Sequence, residues 1–134
     1  MIGLSADQGG MRMEKQRILL AEDDWSFASA IRDLLRMWNY EVAGPFQTLD
    51  EAFKAARGEA LSGALLDINI GADHVYPLAD YLAGKGTPFL LMSGLGDRIP
   101  VQRRPGWRCL DKTKLVVKLE EELVSLLGNT SARP

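Results

Sequence analysis

Three acidic residues in a row, Glu22, Asp23 and Asp24, follow a short apolar run at residues 18–21. Such a run is too short for an isolated helix and is typical of a strand buried on both faces of a parallel sheet. In open α/β sheets, ligands bind at the edge where strands of this kind end. Neighbouring carboxylates repel one another, so we expect a cation to stabilise the cluster. The alternative is that Asp23 or Asp24 only caps the helix that follows.

Three further reactive groups stand at the ends of later apolar runs: Asp67, Ser93 and Lys112. Each alone has an ordinary explanation, as a helix cap, a turn residue or solvated surface. Together with the acidic cluster, they match what phosphoryl transfer requires. Carboxylate oxygens of Glu22, Asp23 and Asp67 are ligands that Mg²⁺ prefers, and one Asp oxygen can attack phosphorus. The hydroxyl of Ser93 and the ammonium of Lys112 can stabilise the phosphoryl oxygens.

The elements that would position these groups alternate along the chain. Apolar residues spaced three and four apart predict helices at residues 25–38, 50–57, 77–83 and 114–127. Short apolar runs predict strands at residues 18–21, 40–43, 62–68, 87–92 and 107–110. Strict alternation implies an α/β fold with a parallel sheet and helices on both faces, so the strand ends meet at one edge. Pro100 and Pro105 argue against a regular helix at residues 95–106.

Composition limits the classes of protein to which the chain can belong. Its 134 residues, 46% of them hydrophobic, suit one domain at residues 17–127, with a flexible extension at 1–16 and a tail at 128–134. The net charge of −2 predicts neither nucleic-acid nor anionic-lipid binding. The single cysteine, Cys109, excludes an intrachain disulfide and suits a reducing compartment. No apolar run approaches the length of a membrane span and residues 1–16 lack a secretory signal, so we expect a cytoplasmic protein.

Over residues 17–127, the chain resembles the receiver domains of two-component response regulators. The matching motifs are AEDD, LLDIN, MSG and LDK, in that order and at the predicted strand ends. The resemblance implies a flavodoxin-like (βα)5 fold with five parallel strands in the order 2-1-3-4-5 and a short or missing fourth helix. It also implies a Mg²⁺ site with four protein ligands: the side chains of Glu22, Asp23 and Asp67 and the backbone carbonyl of Asn69.

The same resemblance assigns roles to the remaining groups. Asp67 would be the phosphoacceptor, with Ser93 as the switch hydroxyl and Lys112 as the phosphate-binding cation. The donor would be a sensor histidine kinase or a phosphotransfer protein, and the phosphorylated domain would signal by binding a downstream protein partner. Such a domain is not an enzyme in the usual sense, since it catalyses at most its own phosphorylation and dephosphorylation. With no second domain expected after Leu127, we expect a stand-alone regulator.

A narrower resemblance covers residues 67–96. The segment TPFLLMSG is similar to receivers whose fourth strand reads PFxFATG, which are often single-domain bacterial regulators paired with histidine kinases of the HWE and related families. Two departures stand out. Thr113 follows Lys112 where receivers often carry a proline in a cis peptide, so we expect a trans bond. Cys109 stands three residues before Lys112, where the switch aromatic is usual.

Two alternatives remain open from the sequence. A receiver fold used as a phosphorylation-independent interaction module is favoured by Cys109 and Thr113. A haloacid-dehalogenase-like phosphatase would use an Asp-x-Asp motif after the first strand, whereas this chain has Glu22-Asp23-Asp24 there. We rank the phosphatase low for that reason. His74 has no second His or Cys with which to build a transition-metal site, so we predict a solvated loop residue.

Overall fold

A computed structural model describes residues 15–94 and 106–128. Its strands are β1 Arg17–Ala21, β2 Glu41–Phe46, β3 Gly63–Asp67, β4 Asn69–Ile70, β5 Asp73–His74, β6 Phe89–Ser93 and β7 Arg108–Asp111. Its helices are α1 Trp25–Met37, α2 Leu49–Gly58, α3 Tyr76–Lys85 and α4 Leu115–Leu126, and a 3₁₀ turn at Lys112–Lys114 precedes α4.

Five of the strands form one parallel sheet in the order β2-β1-β3-β6-β7. Counted among these five alone, that order is 2-1-3-4-5, so the predicted doubly wound fold is confirmed. The short strands β4 and β5 form a separate antiparallel hairpin. The three inner strands β1, β3 and β6 are almost wholly buried, as expected where helices cover both faces of a sheet.

Alternate residues of β1 feed two different cores. Leu19 faces the cluster built with α2 and α3, to which Leu78 belongs. Leu20 faces the opposite cluster, built with α1 and α4, to which Leu35 and Leu119 belong. This alternation follows from the two-residue period of a strand. The two cores cover the two faces of the sheet. Because its strands are parallel, their carboxyl ends all lie at one edge of the sheet.

Side-chain caps begin the first two helices. Asp24 Oδ1 accepts a hydrogen bond from Phe27 N at 3.2 Å, and Thr48 Oγ1 accepts one from Glu51 N at 3.2 Å. Thr113 directly precedes the last predicted helix but does not cap it. Asp111 Oδ1 accepts from Thr113 N at 2.8 Å, so the chain turns directly after β7 and Lys112 is held at the start of a 3₁₀ turn.

Strand β2 runs further than predicted, through Gly44 and Pro45 to Phe46. Gly44 has φ 111°, and a Cβ there would lie 2.7 Å from the carbonyl oxygen of Leu20, so only glycine fits this close approach. A proline is tolerated because β2 is an edge strand. Among the described residues, the bond before Pro45 is the one cis peptide, so the bond between Lys112 and Thr113 is trans as expected.

Two local features differ from the sequence pattern. Apolar spacing in the last helix places Leu115 and Val116 on one stripe, yet Val116 is 68% exposed while Leu115 is fully buried. Between the third predicted strand and the third predicted helix, where the pattern predicts no element, the chain forms the β4–β5 hairpin. The expected extension at 1–16, tail at 128–134 and irregular stretch at 95–106 lie outside the described residues, except for residues 15, 16, 106 and 128. No helix in the described ranges has the length and apolar character needed to cross a membrane.

Candidate functional site

The sheet brings three of the predicted groups into direct contact. Glu22 follows β1, Asp67 ends β3 and Lys112 follows β7. The Lys112 ammonium nitrogen lies 2.8 Å from Glu22 Oε1 and 3.1 Å from Asp67 Oδ2. Residues from three strands, distant in the sequence, therefore converge at the carboxyl edge, because parallel strands all end on that side.

The acidic groups form a compact set of oxygen donors. One carboxylate oxygen each of Glu22, Asp23 and Asp67 lies within 4.8 Å of the others. Carboxylate oxygens are the hard donors that Mg²⁺ prefers, so a set gathered this closely fits a hard divalent cation.

Glu22 carries the largest electrostatic cost in the site. Its side chain is fully buried, and burial, with a smaller contribution from Asp67, raises its pKa from 4.5 to about 7. Lys112 and the Asp24 amide, which donates to Oε2 at 3.0 Å, oppose this rise. Oε1 is close to the Lys112 ammonium but is not aligned with it for a hydrogen bond, so the contact is an ion pair. A bound cation would therefore stabilise the ionised carboxylate.

Lys112 is held from two sides. Burial lowers the pKa of its ammonium, but Glu22 and Asp67 raise it by more, so the net shift is upward and the group stays charged. On its other side, the ammonium lies 4.8 Å from the centroid of the Phe27 ring on α1. The site thus holds one permanent cation beside two buried carboxylates.

Ser93 ends the strand next to Asp67. Met92 pairs with Asp67 across the β3–β6 ladder, and Ser93 pairs with Asp111 across the β6–β7 ladder. Ser93 is 5% exposed and lies one residue further toward the carboxyl edge than the partner of Asp67. Cys109, at the position of the missing aromatic, lies on β7 and packs against the core that includes α3.

The hairpin contributes contacts that sequence reasoning missed. Gly71 N donates to Asp23 Oδ2 at 2.6 Å, and Asn69 N donates to Asp67 Oδ1 at 3.4 Å. Asn69, whose carbonyl is a predicted metal ligand, therefore lies beside the acidic cluster. His74 is exposed as predicted, but it belongs to β5 and its Nδ1 lies 2.8 Å from Asn69 Oδ1. The signal available in the sequence for this turn was Gly71, which lies between the two short strands Asn69–Ile70 and Asp73–His74.

Similarity to known proteins appears in structure alone. No protein-family model and no curated protein matches the sequence. The receiver domain of a sensor histidine kinase from Pseudomonas aeruginosa matches with a TM-score of 0.74 at 20% identity, covering 87% of this chain and 100% of that one. A response regulator receiver protein from Sinorhizobium medicae matches with a TM-score of 0.74 at 20% identity, covering 86% of this chain and 96% of that one. The chain has the fold of a response regulator receiver domain.

A further solved structure has a similar fold. SdrG from Sphingomonas melonis matches with a TM-score of 0.74 at 25% identity, covering 84% of this chain and 97% of that one. The Pseudomonas aeruginosa domain was solved with a magnesium ion coordinated in its active-site cleft. The likeness to receiver domains inferred from the short motifs is therefore confirmed at the level of the fold. The roles of the individual site residues stay predictions.

Proposed function

We propose that this receiver domain accepts a phosphoryl group on Asp67 from a histidine kinase or a phosphotransfer protein, and signals by binding a downstream protein. The observation that carries the proposal is the placement of the Lys112 ammonium between Glu22 and Asp67 at the carboxyl edge. A carboxylate, a fixed cation and a neighbouring hydroxyl at Ser93 are the groups that phosphoryl transfer to an acid needs.

Four ligands would hold Mg²⁺ in this proposal: the side chains of Glu22, Asp23 and Asp67 and the backbone carbonyl of Asn69. The proximity of the three carboxylates and the raised pKa of Glu22 support such a site. When bound, the ion supplies positive charge against the phosphoryl oxygens, as in other phosphoryl transfers. The magnesium seen in the Pseudomonas aeruginosa receiver domain makes the same ion a reasonable choice here.

The chemistry of this chain's own residues follows from their positions. A carboxylate oxygen of Asp67 attacks the phosphorus of a phosphohistidine and forms an acyl phosphate. The bond between phosphorus and the imidazole nitrogen breaks, its electron pair stays on the imidazole, and that ring later takes up a proton. Lys112, already 3.1 Å from Asp67, and Ser93 donate hydrogen bonds to the transferred group.

In this proposal the chain is a phosphoacceptor and not an enzyme that turns over a separate substrate. We place it in the cytoplasm, where a histidine kinase, of the HWE type according to the narrower resemblance, presents its phosphohistidine. The net charge of −2 supports a protein partner and no role for nucleic acid or membrane lipid.

The proposal is tested by incubating the protein with acetyl phosphate and Mg²⁺ and measuring the intact mass. We expect addition of one phosphoryl group to the wild type, loss of it after treatment with hydroxylamine, and no addition to Asp67→Asn. Asp80→Asn, an exposed acid on α3, serves as the matched control and should be labelled like the wild type. Full labelling of Asp67→Asn would show that Asp67 is not the phosphoacceptor.

A second candidate function is a constitutive interaction module. It is favoured by the Thr113 amide and hydroxyl, which both donate to Asp111 Oδ1 at 2.8 Å and tie down the turn that carries Lys112. Amide chemical shifts with and without beryllofluoride distinguish the two functions. Shifts that reach Ser93 and Cys109 support a switch, whereas no binding of the phosphoryl mimic supports the module.

A further inference from the structure

The β4–β5 hairpin is anchored in the core at its base. Ile70 and Val75 are buried in the cluster built with α2 and α3, and Val75 N donates to the Ile68 carbonyl at 2.9 Å. The two strands of the hairpin are antiparallel, and Asn69 pairs with His74. The base of the hairpin therefore has a fixed place directly after the end of β3.

The tip of the hairpin reaches the one exposed acid of the cluster. Gly71, with φ 61°, points its amide at Asp23 Oδ2 over 2.6 Å, and these residues are 48 positions apart in the chain. A backbone amide that donates to a carboxylate makes a charge-assisted hydrogen bond, one of the stronger kinds. Asp23 is thus held by the hairpin, while Glu22 and Asp67 are held by burial and by Lys112.

Side chains close the hairpin across its open end. His74 Nδ1 lies 2.8 Å from Asn69 Oδ1, and because an amide oxygen can only accept, this contact requires the tautomer protonated at Nδ1. The His74 ring also stacks on Tyr76, with centroids 5.7 Å apart and an interplanar angle of 22°. These contacts limit the ways in which the turn at Gly71 can move.

We propose that this hairpin positions the metal ligand Asp23: the Gly71 amide fixes one carboxylate oxygen, and the Asn69–His74 contact keeps Gly71 in place. A carboxylate has two oxygens and several lone pairs, so Oδ1 stays available to Mg²⁺ while Oδ2 accepts from Gly71. Hydrogen bonds to ligating carboxylates orient them in other metal sites. The inference rests on the proposed function, because it takes the acidic cluster as the metal site.

The test measures Mg²⁺ affinity by calorimetry and by Trp25 fluorescence for the wild type and for Asn69→Ala, His74→Ala and the double variant. Asn69→Ala keeps the backbone carbonyl, so it tests the side-chain contact alone. We expect each single variant to weaken Mg²⁺ binding by up to about tenfold. That is the lower end of the loss in metal affinity seen when a residue that supports a metal ligand is replaced. The double variant should be no weaker than the single variants, because all remove the same contact.

Two controls separate positioning from general loosening. Ala72→Ser, at the exposed hairpin tip, should bind Mg²⁺ like the wild type. His74→Gln, which keeps a side-chain donor, should recover part of the affinity. The Gly71 amide proton provides an independent readout: we expect a low-field chemical shift and slow exchange that persist at saturating Mg²⁺ and are lost in Asp23→Ala.

The outcomes distinguish the two proposals. If the wild type binds Mg²⁺ and both hairpin variants bind it equally well, the inference is overturned and the proposed function stands. If the Gly71 amide loses its protection when Mg²⁺ binds, the hairpin is displaced by the ion and does not position Asp23. If the wild type shows no Mg²⁺ binding at all, the proposed metal site fails, and the inference fails with it.

Discussion

The site has two halves that are built by different means. One half, the buried half, holds the buried carboxylates of Glu22 and Asp67 and the partly buried ammonium of Lys112, and its members come from the ends of three strands of the main sheet. The other half, Asp23 and Gly71, is exposed and depends on one hydrogen bond from a short hairpin. The buried half has strong charge interactions because water is largely excluded, whereas the exposed half gains mainly from alignment. We therefore expect changes in the buried half to affect both stability and chemistry, and changes in the exposed half to affect binding.

Removing Lys112 should have the largest effect. In Lys112→Ala, we expect phosphorylation by acetyl phosphate to slow by about 10²–10³, as for other groups that stabilise developing charge. We also expect a loss of about 3 kcal/mol in the free energy of unfolding without metal, because two buried carboxylates lose their partner. Rates come from intact mass over time, and stability comes from denaturant titration.

Lys114→Ala is the matched control for this change, since Lys114 is an exposed lysine of the same turn. A wild-type rate in Lys112→Ala, with Mg²⁺ present, would show that the buried ion pairs serve folding alone.

The next largest effect is the pH dependence caused by Glu22. Burial raises its pKa from 4.5 to about 7, so between these values the folded protein binds a proton that the unfolded chain does not. Stability without metal should therefore fall as pH rises through this window, by an amount on the order of 3 kcal/mol. Denaturant unfolding at several pH values, with and without Mg²⁺, measures the slope.

Glu22→Gln should flatten this pH dependence, because the amide does not titrate. Saturating Mg²⁺ should reduce the slope in the wild type, because the ion binds the carboxylate form. A slope that is the same in the wild type and in Glu22→Gln would assign the pH dependence to other groups.

The smallest effect should come from Phe27, whose ring lies against the Lys112 ammonium. Phe27→Leu keeps apolar volume and removes the ring, so we expect a coupling to Lys112 of about 0.5–1 kcal/mol. A double-mutant cycle with Lys112→Met isolates this term. Phe27→Tyr, which keeps the aromatic face, is the conservative control, and a coupling of zero would mean that the ring only fills space.

Much of the buried half could be predicted from local sequence. The apolar run before Glu22 and the apolar run that ends in Asp67 were sufficient to predict that both acids lie at strand ends. Fully buried parallel strands appear in a sequence as uninterrupted apolar runs. The caps at Asp24 and Thr48 were also predictable, since each bonds an amide three residues away. These features depend on neighbours in the chain, and a sequence displays such neighbours directly.

The tertiary structure decided the features that depend on distant packing. Val116 and Leu115 are adjacent and both apolar, and only contact with the sheet determines that Leu115 points inward. The hairpin is too short to be stable by itself, and its place depends on burial of Ile70 and on an acid 48 residues from Gly71. The sequence thus determined which groups the site contains, because strand ends are local signals. The three-dimensional structure determined how Asp23 is held, because that hydrogen bond joins segments that only folding brings together.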